Sequence, residues 1–331
     1  MTINIGFMGT GNFSKKHADI LSNRRDVNIA AFYGTSQEKA ERMAKPYEAA
    51  GYGDLTEMLD TEKLDAAYIC VPPMSHGSIE QELIDRGIPF FVEKPLSNEA
   101  DMPADFARQI EEKSLITSVG YHFRYKQNTQ TMKNFLELQE IGMITGRWMS
   151  GIPQTAWWAD QDKSGGQFNE QTIHLVDLLR FTAGEVKQVY AVFANTVLEK
   201  REDHVSIADV GTVTLTLENG IIANLSNTCV LPPHVHDIGI TFYTDDGILS
   251  WQPDRVEHDS GTVTEEYNDR DDPYEKENET FIEALKTGDP SEIQSDYSDA
   301  LKTQQITAAA LQSAKTGQVV EITNQEDETK A

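Results

Sequence analysis

One lysine of the chain has the sequence context of a reactive group. Lys94 follows residues 89–92, a short apolar run with the character of a buried strand. In a parallel sheet, the carboxyl end of such a strand faces the crevice where ligands bind. The next residue, Pro95, biases Lys94 toward an extended backbone and so fixes the direction of its side chain. A Lys-Pro pair also fits an ordinary loop, so the catalytic interpretation depends on the rest of the chain.

A histidine further along has carboxylates at helical spacing. Glu170, His174 and Asp177 stand four and three positions apart, which predicts that all three lie on one face of a helix. A carboxylate one turn before a histidine orients the ring and raises its basicity, as removal of a hydroxyl proton requires. The same spacing also fits an exposed surface pair or a core histidine with a local partner.

A glycine turn near the N-terminus is typical of a dinucleotide site. Gly9 and Gly11 come after the strand-like run 3–8 and before a helix-like segment, with Ser14 at the third glycine position. The first glycine permits the tight turn, and the second lets backbone approach a pyrophosphate at the helix N-terminus. The same turn also occurs in Rossmann-like folds that hold no cofactor. The predicted cofactor-binding residues of the turn are Gly9, Gly11, Asn12 and Phe13.

The end of the second predicted strand bears on the choice between NAD and NADP. An NAD site usually has an acidic residue here to hold the ribose 2′-hydroxyl, and this chain has Gly34. Thr35 and Ser36 can donate hydrogen bonds to a 2′-phosphate, and Lys39 or Arg42 can neutralise it. The sequence therefore favours NADP over NAD. The alternative is that Thr35 and Ser36 only cap the next helix.

The elements that must position these residues change character along the chain. Over about the first 120 residues, short apolar runs alternate with helix-like segments, which predicts βαβ units and a parallel sheet. The predicted strands are 3–8, 27–33, 66–71, 89–92 and 115–119, and the predicted helices are 13–22, 37–50, 78–86 and 102–113.

Beyond about residue 121 the pattern favours antiparallel strands. Two alternating runs, 212–217 and 221–226, flank an Asn-Gly pair, which predicts a hairpin. Further strands are predicted at 186–193 and 238–243, an edge strand with surface loops at 254–272, and helices at 275–285 and 297–314. We therefore expect an α/β protein with a Rossmann domain at 1–121 and an α+β domain at 122–331 that contains a large open, mainly antiparallel sheet. The helix 297–314 is a candidate to pack back on the first domain.

Composition narrows the class of protein. The 331 residues include 54 acidic and 28 basic ones, a formal charge of −26, which disfavours nucleic acid and membrane surfaces as partners. Both cysteines, Cys70 and Cys229, lie in apolar runs and read as small buried residues without a disulfide framework. With no leader-like segment or apolar run long enough for a membrane helix, a cytoplasmic enzyme is expected. His234 and His236 alternate as on a strand, but no third ligand stands nearby, so no metal is expected.

Taken together, these segments resemble the Gfo/Idh/MocA family of oxidoreductases over nearly the whole chain. The resemblance is carried by the N-terminal glycine turn, by Val71-Pro72-Pro73 with His76, by Glu93-Lys94-Pro95, by Gly165-Gly166 with Glu170, His174 and Asp177, and by Tyr297-Ser298-Asp299-Ala300. It implies a Rossmann domain followed by a domain with an open sheet that joins subunits into a dimer or tetramer. Glu170 stands where the family more often has Asp, and Thr172 replaces a frequent Gly, which leaves the substrate open.

The resemblance also implies roles for individual residues. Lys94 corresponds to a lysine that contacts both the nicotinamide ribose and the substrate hydroxyl, and His174 to the histidine that accepts the proton. Pro72 corresponds to the turn beside the nicotinamide. The implied site comprises catalytic Lys94, His174 and Glu170, further cofactor contacts at Thr35, Ser36, Lys39, Pro72, Glu93 and Lys94, and substrate contacts at Tyr121, Arg124, Trp158, Glu170 and His174.

The expected activity is NAD(P)-dependent hydride transfer to or from a small sugar, polyol or related substrate. Two alternatives remain open from the sequence. A glycosidase of the same fold would keep its nicotinamide bound and show no net change in cofactor during cleavage. A nucleotide-sensing protein would bind the cofactor and turn over nothing, although Lys94, Glu170 and His174 together argue against that.

Overall fold

A computed structural model describes residues 2–98, 101–200 and 205–322. The chain divides into two units. The first unit comprises Met1–His122 and Asp272–Leu301, and the second comprises Phe123–Asp271 and Lys302–Ala331. Within the described residues, no helix is both long and apolar enough to cross a membrane.

The first unit is built on a six-stranded parallel sheet with the order β3-β2-β1-β4-β5-β6. This is the order of the dinucleotide-binding Rossmann fold, so the predicted fold class of this region is confirmed. Its strands are β1 (Ile3–Met8), β2 (Val27–Tyr33), β3 (Ala50–Tyr52), β4 (Ala66–Ile69), β5 (Phe90–Val92) and β6 (Thr117–Val119). The helices between them are α1 (Asn12–Ser22), α2 (Gln37–Ala44), α3 (Leu55–Thr61), α4 (Ser78–Arg86) and α5 (Asp101–Glu112).

An aromatic ladder crosses one face of this sheet. Phe32, Phe7, Tyr68 and Phe91 are paired in register on β2, β1, β4 and β5. Neighbouring rings are stacked, with centroids 4.9–5.1 Å apart. All four side chains are fully buried, so a further layer of the protein must cover this face.

The prediction of a single helix over 37–50 was wrong. The helix α2 ends at Ala44, and Lys45–Tyr47 form a 3-10 turn with a proline in its first turn. The chain then enters β3, which pairs with β2 through Tyr33 and Tyr52. The short helix α3 was also missed, because its seven residues are too few to show helical periodicity.

The second unit holds a nine-stranded sheet with the order β14-β13-β12-β11-β7-β10-β9-β8-β15. Its neighbouring strands are antiparallel except for β7 and β10, which confirms the expected mainly antiparallel sheet. The strands are β7 (Ile141–Met149), β8 (Val186–Ala194), β9 (Val210–Leu217), β10 (Ile222–Thr228), β11 (Asp237–Thr244), β12 (Gly247–Gln252), β13 (Arg255–Asp259), β14 (Thr264–Asn268) and β15 (Val320–Glu321). The predicted hairpin is present as β9 and β10, and β14 is the predicted edge strand.

Helices cover one face of the nine-stranded sheet. They are α6 (Gln127–Leu136) and α8 (Ile173–Ala183), together with the later part of a helix near the C-terminus. A short helix, α7 (Gln161–Ser164), precedes α8 in the chain. The core joins Leu175 and Leu179 of α8 to Leu215 and Leu225 of the sheet. Residues on alternate positions of the strands are exposed, among them Tyr190, Val192 and Ile248, so the other face of the sheet is open.

The helix α9 (Pro273–Thr287) belongs to the first unit, although the sequence assigned all of 122–331 to the second domain. Phe281 of α9 is fully buried, and its ring meets Tyr68 and Phe91 edge-on at 5.7 and 6.0 Å. The helix therefore covers the aromatic ladder. The last helix, α10 (Tyr297–Thr316), contains the boundary between the units, and the backbone N–H of Tyr297 donates to Thr117 of β6.

Candidate active site

The glycine turn joins β1 to α1 as the sequence predicts. Gly9 has φ +117°, and a Cβ there would lie 2.3 Å from the carbonyl oxygen of Cys70, so only glycine fits. Gly11 is the N-cap of α1, and a Cβ there would meet no atom of the protein within 4 Å. No side chain caps α1, which leaves the backbone N–H groups of its first turn available to an anion. The turn therefore fits the pyrophosphate of a dinucleotide.

A polar cluster stands at the end of β2. The Lys39 ammonium donates to Thr35 Oγ1 at 3.0 Å, and both side chains are exposed. Ser36 caps α2 by accepting from the backbone N–H of Lys39 at 3.3 Å, as in the capping interpretation of this residue. At Gly34 a Cβ would lie 2.8 Å from the Thr10 methyl group, so an acidic side chain there would require Thr10 to move. Arg42 pairs instead with Glu38, at 3.8 Å on the surface.

Two further predicted residues follow the ends of neighbouring strands. Pro72 comes after β4 and precedes the 3-10 turn Pro73–Ser75. Lys94 is half-buried just beyond the end of β5, and its peptide bond to Pro95 is cis. Because β1, β4 and β5 are adjacent and parallel, the residues after them share one edge of the sheet with the glycine turn.

Glu93 lies in the interior of the first unit. It is 5 % exposed, and its Oε1 accepts a hydrogen bond from His17 Nε2 of α1 at 2.9 Å. Its assignment as a cofactor contact stays a prediction, since this carboxylate already has a partner within the protein. Tyr121, two residues after β6, is also fully buried.

A second buried carboxylate fixes the turn after β4. The His76 ring contacts one oxygen of Glu80, and the other oxygen accepts the backbone N–H of Gly77 at 2.7 Å. Both side chains are almost completely buried. The pair holds Gly77, with φ +114°, at the start of α4.

In the second unit, the helix that carries His174 begins differently from the prediction. Phe168–Thr172 form a π-helical turn, and the α-helix starts only at Ile173. Glu170 therefore lies in the π-turn and His174 in the α-helix. Although they are four positions apart in the chain, their side chains are not related by the regular geometry of one α-helix. A π-turn adds one residue to the helical cycle, and such turns frequently occur at functional sites.

Aromatic side chains surround His174. Its ring centroid lies 5.2 Å from that of Phe123, and the ring stacks on Trp148 at 5.9 Å with an interplanar angle of 18°. His174 is 5 % exposed and Glu170 is 9 % exposed. These flat neighbours restrict the plane of the imidazole.

Asp177 has a partner other than the histidine. Its two oxygens accept from Nε and Nη2 of Arg124 at 2.8 and 2.7 Å, and Thr303 also donates to it at 3.2 Å. Arg124 is 3 % exposed. This pairing does not support the predicted contact between Arg124 and substrate, and that contact stays a prediction.

Trp158 is also an interior residue. It is 2 % exposed and belongs to a small apolar cluster with Leu198, Ile207 and Cys229. Trp157 packs at the edge of the same cluster and is only partly buried. The predicted wall for a sugar ring at Trp158 stays a prediction.

A buried polar cluster in the first unit was not predicted from the sequence. It comprises His17 of α1, Glu93, and Glu277 and Asn278 of α9. A signal existed, because His17 and Glu277 are polar residues at positions where an amphipathic helix faces the core. In contrast, His234 and His236 join no group of three potential metal ligands in the part of the chain that the structure describes.

Comparison with known proteins agrees with this architecture. Residues 3–121 match a family described as oxidoreductase family, NAD-binding Rossmann fold, and residues 129–250 match the GFO/IDH/MocA C-terminal domain. The myo-inositol 2-dehydrogenase of Thermotoga maritima is 27 % identical over 87 % of this chain and 90 % of its own length. The D-xylose 1-dehydrogenase (NADP(+)) 2 of Haloferax volcanii is 24 % identical over 96 % of this chain and 99 % of its own. Other alignments are shorter and span about two thirds of the relative.

Solved structures share the fold. The WlbA dehydrogenase of Bordetella pertussis, in complex with NADH and UDP-GlcNAcA, superposes with a TM-score of 0.85 at 21 % identity. The match covers 98 % of this chain and all of that one.

Proposed function

Since the chain belongs to the Gfo/Idh/MocA family of oxidoreductases, we propose that it oxidises a hydroxyl group, or reduces a carbonyl, of a sugar or polyol with NAD(P). The observation that carries the proposal is in the first unit. The glycine turn at Gly9 follows β1 and Lys94 follows β5. These parallel strands are separated by β4 alone, so both residues lie at the same edge of a Rossmann sheet. A turn that fits a dinucleotide and a cationic side chain at the same sheet edge are consistent with hydride transfer from an alcohol, in which negative charge develops on the substrate oxygen.

The glycine turn has the form needed to hold the cofactor. The open space at Gly11 admits a phosphate, and the uncapped N-terminus of α1 supplies donors and a positive dipole. When bound, the nicotinamide supplies the acceptor or donor of the hydride. The protein's part is to orient the substrate and to manage its proton.

Proton transfer and charge stabilisation are assigned to the two residues that the family resemblance implies, His174 and Lys94. His174 accepts the hydroxyl proton during oxidation and returns it during reduction, a role that contributes roughly 10²–10⁴-fold to rate. The Lys94 ammonium stabilises the charge that develops on the substrate oxygen. Glu170 contributes to substrate binding. The aromatic rings beside His174 support this assignment, because a fixed imidazole plane is needed for directed proton transfer.

The cluster at the end of β2 supports a preference for NADP. Lys39 already lies against Thr35, so a cation and a hydroxyl are available together for a 2′-phosphate. Gly34 offers no carboxylate to a ribose 2′-hydroxyl. Among the proteins that this chain resembles, the name of one specifies NADP(+), whereas the structure of WlbA contains NADH.

We also propose that the protein forms a homo-oligomer through the open face of the nine-stranded sheet. Ile222, Met143, Tyr243 and Ile248 are neighbours in register on four adjacent strands and are 50, 45, 41 and 41 % exposed, which makes a continuous apolar row on this face. Light scattering should give a mass of two or four chains, and a mass of one chain would contradict the proposal.

A two-stage screen tests the proposed function. Thermal shifts are measured first with NAD and NADP, and then with a library of sugars and polyols in the presence of the preferred cofactor. Compounds that raise the Tm further are assayed for formation of reduced nicotinamide. Turnover on at least one compound supports the proposal. Cofactor binding with no turnover across the library in either direction would overturn it.

A further inference from the structure

Four buried polar side chains form a cluster in the interior of the first unit. His17, Glu277 and Asn278 are fully buried and Glu93 is 5 % exposed. One nitrogen of His17 and one oxygen from each of Glu93 and Glu277 all lie within 4.8 Å of one another. Two carboxylates this close in the interior carry a large electrostatic cost if both are charged.

Hydrogen-bond geometry fixes the state of the histidine. Asn278 Nδ2 donates to the backbone oxygen of Tyr274 at 2.7 Å, and a carbonyl oxygen only accepts, so the amide orientation is set. The same nitrogen lies 2.8 Å from His17 Nδ1, which must therefore accept. Nε2 of a neutral His17 then carries the hydrogen and donates it to Glu93 Oε1 at 2.9 Å. The ring therefore accepts a hydrogen bond from Asn278 and donates one to Glu93.

Glu277 has no comparable donor. Neither of its carboxyl oxygens has a hydrogen-bond partner among the described residues. Burial, and next the charge of Glu93, raise the pKa of Glu277 well above its usual range. Each observation disfavours a carboxylate at this position.

Charged and titratable groups face Glu277 from every side of the cluster. Besides Glu93 and His17, they are Lys16 on α1, Asp272 and Tyr274 at the start of α9, and Cys70 after β4. Lys16 is the one cation among these groups, and its ammonium interacts with both Tyr274 and Asp272. Its Nζ lies 3.4 Å from the centroid of the Tyr274 ring and 3.5 Å from Asp272 Oδ2.

We propose that Glu277 is a positioning residue that acts as a neutral carboxylic acid and keeps a single negative charge, that of Glu93, in this cluster. Glu93 is bonded along the chain to Lys94, so the part that concerns catalysis rests on the function proposed above. With Glu277 neutral, the hydrogen bond from His17 holds Glu93, and Glu93 holds the backbone from which Lys94 projects. With Glu277 ionised, repulsion between two buried carboxylates would displace that backbone.

A metal ion is the competing explanation for a histidine and two glutamates. It is disfavoured because Nε2 of His17 carries a hydrogen and Nδ1 accepts one, which leaves no lone pair for a metal. Metal content therefore becomes an outcome of the test.

The test compares Glu277→Gln with Glu279→Gln, a matched control on the exposed side of the same helix. Because the folded-state pKa of Glu277 is raised above 4.5, titration of this group lowers the stability of the wild type as the pH rises above that value, and this contribution is absent from the Gln variant. The Tm advantage of Glu277→Gln should therefore grow between about pH 5 and about pH 8, by about 3 °C or more. The control should track the wild type throughout.

Two further measurements complete the design. If Glu277 positions Lys94, the kcat of the wild type should fall at high pH, and Glu277→Gln should lessen that fall while leaving the KM for cofactor unchanged. A Tm difference that does not vary with pH, or that falls as the pH rises, would overturn the proposal. So would stoichiometric metal in the purified protein, or a loss of Tm on chelation in the wild type alone. Because the Tm readout needs no turnover, a failure of the proposed function would leave it intact.

Discussion

The guanidinium of Arg124 and the carboxylate of Asp177 form two parallel hydrogen bonds, of 2.8 and 2.7 Å, in the interior of the second unit. Their side chains are 4 and 1 % exposed. Asp177 lies three positions after His174, at a spacing that predicts one shared helix face. The pairing with Arg124 anchors Asp177, and with it α8, in the interior of the second unit.

Breaking this pair should destabilise the protein strongly. Asp177→Asn removes the carboxylate that pairs with the buried Arg124, and breaking a buried ion pair in this way typically costs about 3–5 kcal/mol in the free energy of unfolding. Denaturant unfolding measures the loss. As a control, Arg108→Gln breaks an exposed pair with Glu112 and should cost under about 1 kcal/mol. Equal losses in the free energy of unfolding for the two substitutions would show that the buried pair stabilises the protein no more than the exposed pair does.

The two glycines of the turn should respond differently to alanine. Gly9→Ala places a Cβ 2.3 Å from the Cys70 oxygen and forces a residue with a side chain to φ +117°, so it should lower the Tm and the yield of folded protein. Gly11→Ala meets no protein atom, so its Tm without cofactor should match the wild type. Its affinity for cofactor should fall about tenfold or more, because the methyl group occupies the space assigned to phosphate. An undiminished affinity of Gly11→Ala for the cofactor would show that the pyrophosphate does not bind at this turn.

The preference between cofactors should depend on Lys39. Lys39→Ala removes the cation beside Thr35 and should weaken NADP binding about tenfold or more, with little effect on NAD. Arg42→Ala serves as the control, since Arg42 pairs with Glu38. Gly34→Asp should also weaken NADP by repulsion of a 2′-phosphate, provided that Thr10 yields the space. Parallel losses for NADP and NAD in Lys39→Ala would contradict this assignment.

Much of the first unit is predictable from the sequence because its signals are local. The runs 3–8 and 27–33 match β1 and β2 residue for residue, and the segment 78–86 matches α4. Each combines a buried apolar pattern with a clear stop, such as Gly87 with φ +68° after α4. The Asn-Gly hairpin between β9 and β10 was predictable for the same reason.

Other features depend on contacts that no local pattern reveals. The placement of α9 follows from Phe281 meeting the aromatic ladder some 190–213 positions earlier in the chain, at Phe91 and Tyr68. The π-turn before His174 has no distinct signal, because an amphipathic pattern does not separate a single π-turn from an α-helical turn. The buried partners of Glu93 and Asp177 lie on other elements, so the sequence named the residues and could not show what they contact.

The most direct measurement of the central claim is the steady-state rate of Lys94→Ala on a substrate identified by the screen. With Lys276→Ala as an exposed control, kcat of Lys94→Ala should fall roughly 10²–10⁴-fold. The Kd for cofactor should change far less than kcat, since the glycine turn is untouched and Lys94 is only one of several implied cofactor contacts. A turnover close to that of the wild type would show that Lys94 does not carry the proposed chemistry.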